Sequence, residues 1–200
     1  MERGQFSELF LITHVGNVAS IVRRGILSHN SAARLPHHDL SLGPVQDIRA
    51  GIRVSPALML HDYANLYFCA RNPMMFYIKM HNSLRDVCQL RIEADVLDLP
   101  GVVVADGNAS RRYVTRFDPV EDGLPQLDFQ AVHAYSWKHP EDDGEEYEHK
   151  RVKCAEVLVP HQVPPELLLG AYCPNATSLA AVEAAMPGRD VRIEKYPFFL

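Results

Sequence analysis

One acid stands inside an apolar run near the end of the 200-residue sequence: Glu156 in KRVKCAEVLVP, residues 150–160. Read with period two, Val152, Cys154, Glu156 and Leu158 share one face, and Lys153, Ala155, Val157 and Val159 the other. β-branched residues and a stop at Pro160 favour a strand over a helix. On either face a carboxylate sits among apolar neighbours, where an unpaired charge is costly. Two readings are open: an edge strand that turns Glu156 to water, or a rigid strand that holds a catalytic carboxylate.

The other chemistry-bearing residues are less telling by themselves. His14 follows the apolar run Leu9–Ile12 and reads as a site residue or as a satisfied structural histidine. His37-His38 is half a metal site with no further ligands at zinc spacing, which leaves a solvated loop. His61-Asp62 offers an oriented base or a hydrogen-bonded turn. The phosphate cradles GxGxxG and GxxxxGKS and the nucleophile elbow GxSxG do not occur. Four cysteines, Cys69, Cys88, Cys154 and Cys173, are widely spaced without a CxxC pair. That spacing argues against a zinc ribbon or a disulfide framework and fits a reducing cytosol.

Charge and composition narrow the partners. The hydrophobic fraction of 47% and the charged fraction of 22% are those of a globular protein. A net charge of −5 excludes a broad basic surface, so any nucleic-acid contact must be local. Arg111, Arg112 and Arg116 form the best basic cluster, whereas PEDDGEEYEH packs six acids between Glu141 and Glu148 and reads as a solvated loop. No stretch approaches the ~20 apolar residues of a membrane span, and the N-terminal stretch lacks a leader pattern. The expected location is cytoplasmic.

These residues need elements to position them. VGNVASIVRRGILSHN has helical spacing at Val18, Ile21 and Val22 with Gly25 as its stop, and GPVQDIRAGIRV reads as a short helix entering a strand. CQLRIEADV, GVVVADG, ELLLGAYC and VRIEKYPFFL read as strands, and LDFQAVHAYSW and TSLAAVEAAMPG as helices. Strands outnumber helices without regular alternation, so the class is α+β. No repeat or linker divides residues 1–200, which implies a single domain.

Several blocks together carry a resemblance. FLITHVGNVASIVRRGILSHN, VQDIR, LHDYANLYFCARNPMM, LDLPGVVVADGNAS, TRF, LDFQAV, YSW and KRVKCAEVLVP resemble, in order and separation, the DarT toxins of DarTG systems. The resemblance runs from about Phe10 to Pro174. It implies an ADP-ribosyltransferase fold, with two packed, mainly antiparallel sheets and peripheral helices around an NAD cleft. It further implies a toxin that transfers ADP-ribose from NAD to a base, thymine by family frequency, in single-stranded DNA. NAD serves as co-substrate without a metal, and a macrodomain antitoxin of the DarG kind is the expected partner. Glu156 matches the catalytic glutamate and Arg49 the arginine that grips NAD, with Arg53 the alternative because the preceding loop varies in length. Thr13, His14, Asn17, Asn30 and Tyr67 match cofactor-contacting positions. Met74, Asn108, Arg111 and Arg112 fall where the DNA substrate is expected. One position departs from the pattern: where several relatives carry histidine or arginine, this chain has Leu11, which can neither bond a ribose nor stack as an imidazole does.

Overall fold

The computed structural model describes residues 1–111 and 113–200. Among these residues ten strands are present: β1 Glu8–His14, β2 Ile26–Leu27, β3 Tyr63–Tyr67, β4 Val87–Glu93, β5 Val103–Ala105, β6 Phe117–Pro119, β7 Glu156–Pro160, β8 Gln162–Val163, β9 Leu168–Cys173 and β10 Asp190–Ile193. The helices are α1 Val18–Arg24, α2 His29–Ala32, α3 Gly43–Ala50, α4 Pro73–His81, α5 Val120–Gly123, α6 Phe129–His133, α7 Asp143–Val152 and α8 Ala176–Ala185. The strands divide unequally into an eight-stranded sheet, β10-β9-β4-β1-β3-β7-β5-β6, and a β2–β8 ribbon. In the large sheet only β9 and β10 run parallel. The class is therefore α+β, as the strand-rich pattern implies, and mainly antiparallel, as the family resemblance implies.

Register decides which side chains face which way. Tyr67 pairs with Phe10 on β1 and with Glu156 on β7, and Glu156 pairs with Ala105 on β5. Alternation then sends Leu9, Leu66, Val157 and Val104 to the opposite side, into a core with Val18 of α1 and Val182 of α8. Each such fully buried aliphatic side chain contributes about 1.5–3 kcal/mol. On the Glu156 side, α4 packs Met75 and Ile78 against Val87 and Phe198. That packing covers only part of the face, and the remainder is a cleft.

The acidic run is not a loop. Asp142 caps α7 by accepting from Gly144 and Glu145 N–H, and Asp143, Glu145 and Glu146 fill the first turn. His149, Lys150 and Arg151 occupy the last turn, so charge order follows the helix macrodipole. The same helix absorbs Lys150 to Val152, so the strand begins at Glu156 and not before it. Two other elements are shorter than their patterns: LDFQAVHAYSW is helical only over Phe129–His133, and the last strand ends at Ile193. The chain then turns through Tyr196–Phe198, which buries Phe198.

Candidate active site

Glu156 is 2% exposed at the first position of an interior strand, and its carboxylate faces the cleft. Among the described residues four hydrogen bonds reach its two oxygens. Arg49 of α3 donates from Nη1 to Oε1 at 3.2 Å and from Nη2 to Oε2 at 2.9 Å. Asn65 Nδ2 donates to Oε2 at 2.8 Å, and the Ala109 backbone N–H to Oε1 at 2.9 Å. An acid set among apolar residues is thus paired and hydrogen-bonded, as a buried charge requires. Arg49, which the resemblance implies grips NAD, here contacts Glu156 directly. Burial opposes the charge on Arg49, but the Glu156 carboxylate outweighs it and holds the guanidinium above its ordinary pKa. Arg53, the alternative, is exposed and donates to the Pro56 carbonyl.

Three supports keep this carboxylate in place. Lys153 is 1% exposed just before the strand, and its ammonium donates to the Val132 and Ala134 carbonyls at the end of α6. Arg151 ties α7 to Asp106 after β5, and it lies so close to Gly107 that a Cβ there would meet Nη1 at 2.3 Å. The loop that presents the Ala109 N–H is closed on itself by Asn108, whose Oδ1 accepts from Ser110 N–H and Oγ.

The cleft above Glu156 has a volume of about 460 Å³, within the usual range of about 300–1,000 Å³ for ligand pockets. Thr13, Arg49, Tyr67, Met74, Asn108 and Arg111 line it together with Glu156, and so does Leu11. His14, Asn17 and Asn30 stand behind the lining. Asn17 exchanges two hydrogen bonds with the His38 backbone and donates to Thr13 Oγ1, while the His14 ring stacks on His38 at 4.0 Å. Asn30 donates to Asp62. A second imidazole stack joins His29 to His61, again at 4.0 Å, and His61 bonds to Gln46 of α3. The two stacks tie the segment between β1 and α3 to the end of β1 and to the turn Leu60–Asp62. Arg112 lies outside the described residues.

Electrostatics set what each group can do. Burial and the neighbouring Glu156 hold the Tyr67 phenol well above its ordinary pKa, so it is a neutral hydroxyl in the cleft. Burial, then Glu156, push the Cys154 thiol up to about 12, which excludes a thiolate nucleophile at neutral pH. Burial and the stacked His38 lower His14; burial, His29 and Arg49 lower His61. Sequence reasoning missed Asn65, Tyr147 and Lys150. Tyr147 and Lys150 of α7 line the rim, and Arg111 packs its guanidinium 4.7 Å from the Tyr147 ring centroid. Their signal is a spacing of three on a helix, hidden by the surrounding acids. Among the described residues no group of three or more His, Cys, Asp or Glu side chains is placed to hold a metal, and no helix is long and apolar enough to cross a membrane.

A solved structure of Thermosipho africanus DarTG in complex with ADP-ribose superposes with a TM-score of 0.86 at 25% identity, covering 98% of this chain and 52% of that one. Thermus sp. 2.9 DarT in complex with ADP-ribosylated single-stranded DNA shares the fold with a TM-score of 0.83 at 24% identity, over 96% of both chains. The fold is thus the ADP-ribosyltransferase fold of these structures.

The model of the DarT family, described as ssDNA thymidine ADP-ribosyltransferase, matches residues 10–198, and the chain belongs to that family. A DNA ADP-ribosyl transferase of Thermus aquaticus is 29% identical over 187 residues, 89% of this chain and 80% of its own length. The Thermosipho africanus protein, a fusion of a DNA ADP-ribosyl transferase with a DNA ADP-ribosyl glycohydrolase, is 26% identical over 98% of this chain. The chain spans 50% of that fusion's length.

Proposed function

We propose that this chain transfers ADP-ribose from NAD to a thymine base in single-stranded DNA and releases nicotinamide. The observation that carries the reading is Glu156: a buried carboxylate with both oxygens fixed, facing a cleft of cofactor size. Breaking the nicotinamide–ribose bond develops positive charge on the sugar. A fixed carboxylate beside that sugar stabilises the transition state more than the ground state. Low dielectric strengthens the attraction, and an interior strand supplies the rigidity.

The remaining residues take roles that their chemistry allows. Arg49 serves the diphosphate, since its planar fork suits bidentate phosphate contact. Thr13 and Tyr67 contact the cofactor from the cleft, and His14, Asn17 and Asn30 hold the covering segment over it. Met74, Asn108 and Arg111 face the DNA, with Tyr147 and Lys150 adding a stacking surface and a charge at the rim. Arg112 joins this group by its place in the sequence. Such a local patch suits an unstacked single strand and does not need a basic protein surface. The 200 residues act as one domain, in the cytoplasm, as a toxin. The Thermosipho fusion with a glycohydrolase supports a macrodomain antitoxin as partner.

Mass spectrometry of mixed DNA and RNA oligonucleotides after incubation with protein and NAD tests the reading. One ADP-ribose gained on a thymine-containing DNA strand, and lost with Glu156→Ala, is the expected result. A gain on RNA alone, or on guanine, overturns the assigned acceptor; consumption of no NAD overturns the chemistry.

A further inference from the structure

We infer that Asn65 is a positioning residue for the reaction, holding the Glu156 carboxylate in its working orientation when Arg49 is drawn to the cofactor. The inference rests on the proposed role of Glu156. Asn65 pairs with Leu158 in the β3–β7 register, which makes Glu156 its diagonal neighbour on the same face. Diagonal Cα atoms in such a ladder are about 7–8 Å apart, a span that an amide and a carboxylate close between them. The bond is made, Nδ2 to Oε2 at 2.8 Å, and Asn65 lines the cleft.

The four donors on Glu156 are not equivalent. Two belong to Arg49, which reaches across the cleft from α3, after the segment braced by the histidine stacks. A guanidinium that moves toward a diphosphate withdraws both at once. The other two come from the sheet and its connecting loop: Asn65 on β3 holds Oε2, and the Ala109 N–H holds Oε1. One fixed donor per oxygen sets the plane of the carboxylate, whereas one donor alone leaves it free to rotate about its last bond. Without Asn65, release of Arg49 frees Oε2 and the carboxylate loses its fixed aim. Mutual alignment of this kind governs transition-state stabilisation and not ground-state binding.

Steady-state kinetics of wild type, Asn65→Ala, Asn65→Asp, Glu156→Gln and Asn65→Ala/Glu156→Gln, with NAD and a thymine-containing oligonucleotide, test this. Asn65→Ala should lower kcat by roughly ten- to a hundredfold, the weight of one hydrogen bond to a charged group, with KM for NAD within about twofold. Asn65→Asp should be worse than alanine at neutral pH, because it sets a second carboxylate against Glu156. In the Glu156→Gln background, Asn65→Ala should cost nothing further, since it acts through the missing carboxylate. A merely structural asparagine predicts the reverse order, with isosteric aspartate better than alanine and a full additional loss in the double variant; either result overturns the inference. A rise in KM with kcat unchanged also overturns it, by making Asn65 a substrate contact. Wild-type turnover by Glu156→Gln would instead sink the reading of the site itself.

Discussion

Replacing Arg49 by methionine isolates the energetics of the buried pair. The side chain keeps much of its length but loses the charge and both hydrogen bonds to Glu156. Removing one partner of a buried ion pair costs about 3–5 kcal/mol, because the other charge is left without compensation. Here Asn65 and the Ala109 N–H remain on the carboxylate, and the cleft admits water to the vacated place. The lower end, about 3 kcal/mol, therefore applies. For a chain of 200 residues each kcal/mol moves Tm by about 2–4 °C, so Arg49→Met should melt roughly 6–12 °C below wild type. Adding Glu156→Gln removes the stranded charge: its amide oxygen accepts from the Ala109 N–H, and its NH2 donates to the Asn65 amide oxygen once Asn65 flips. The double variant should then recover more than half of the loss. Thermal melts followed by circular dichroism at pH 7.5 give all the values. A single variant melting within about 2 °C of wild type, or a double variant less stable than the single, refutes the account of a charge held by its partner.

Acidification should loosen the segment over the cleft. His14 and His61 have lowered folded-state pKa values, through burial first and then through His38 and His29 respectively, with Asp86 and Asp62 opposing. The unfolded chain binds the extra protons, so this stability is present above the ordinary imidazole value of about 6.5 and is lost as pH falls below it. KM for NAD should rise over that interval, and a His14→Asn/His61→Asn variant should flatten the rise; an unchanged profile in the variant assigns it to other groups. Tyr147→Ala should raise KM for the oligonucleotide about five- to 160-fold, as loss of one stacked base at ~1–3 kcal/mol implies, with KM for NAD unaltered. Equal effects on both substrates would place Tyr147 in the cofactor site. Gly170→Ala drives a Cβ to 1.9 Å from the Asp190 carbonyl oxygen, so β10 must detach or shift. Urea titration should show a loss of about 1–3 kcal/mol, and a neutral result contradicts the tight β9–β10 approach.

The sequence reveals elements whose local signals agree with the fold. Val18–Arg24 has helical spacing and ends at Gly25, whose φ of 76° suits glycine. Glu156 is conspicuous because strand alternation leaves no exposed face around it. Other features depend on contacts that no local pattern encodes. α7 looks like a solvated loop because its acids dominate the composition, yet the order of acid first and base last is a helix signal that composition averages away. Asn65 is invisible until the β3–β7 register is known, because its meaning lies in a diagonal across two strands 91 residues apart. The direct Arg49–Glu156 contact spans 107 residues and needs the placement of α3 over the sheet. Cofactor-block residues separate in the same way: Thr13 reaches the cleft, while His14 and Asn17 brace what covers it.

The strand order has a consequence for how the protein loses its site. β7 lies between β3 and β5, two places in from the β6 edge, whereas β6 and β10 each have one unpaired side. Edge strands fray with small opening free energies, and interior strands exchange their amide hydrogens only through openings close to global unfolding. The amides of β7 should therefore be among the last to exchange with solvent deuterium, and those of β6 and β10 among the first. Glu156 thus belongs to the slowest-opening unit of the sheet, and warming should not misplace it before the fold itself is lost.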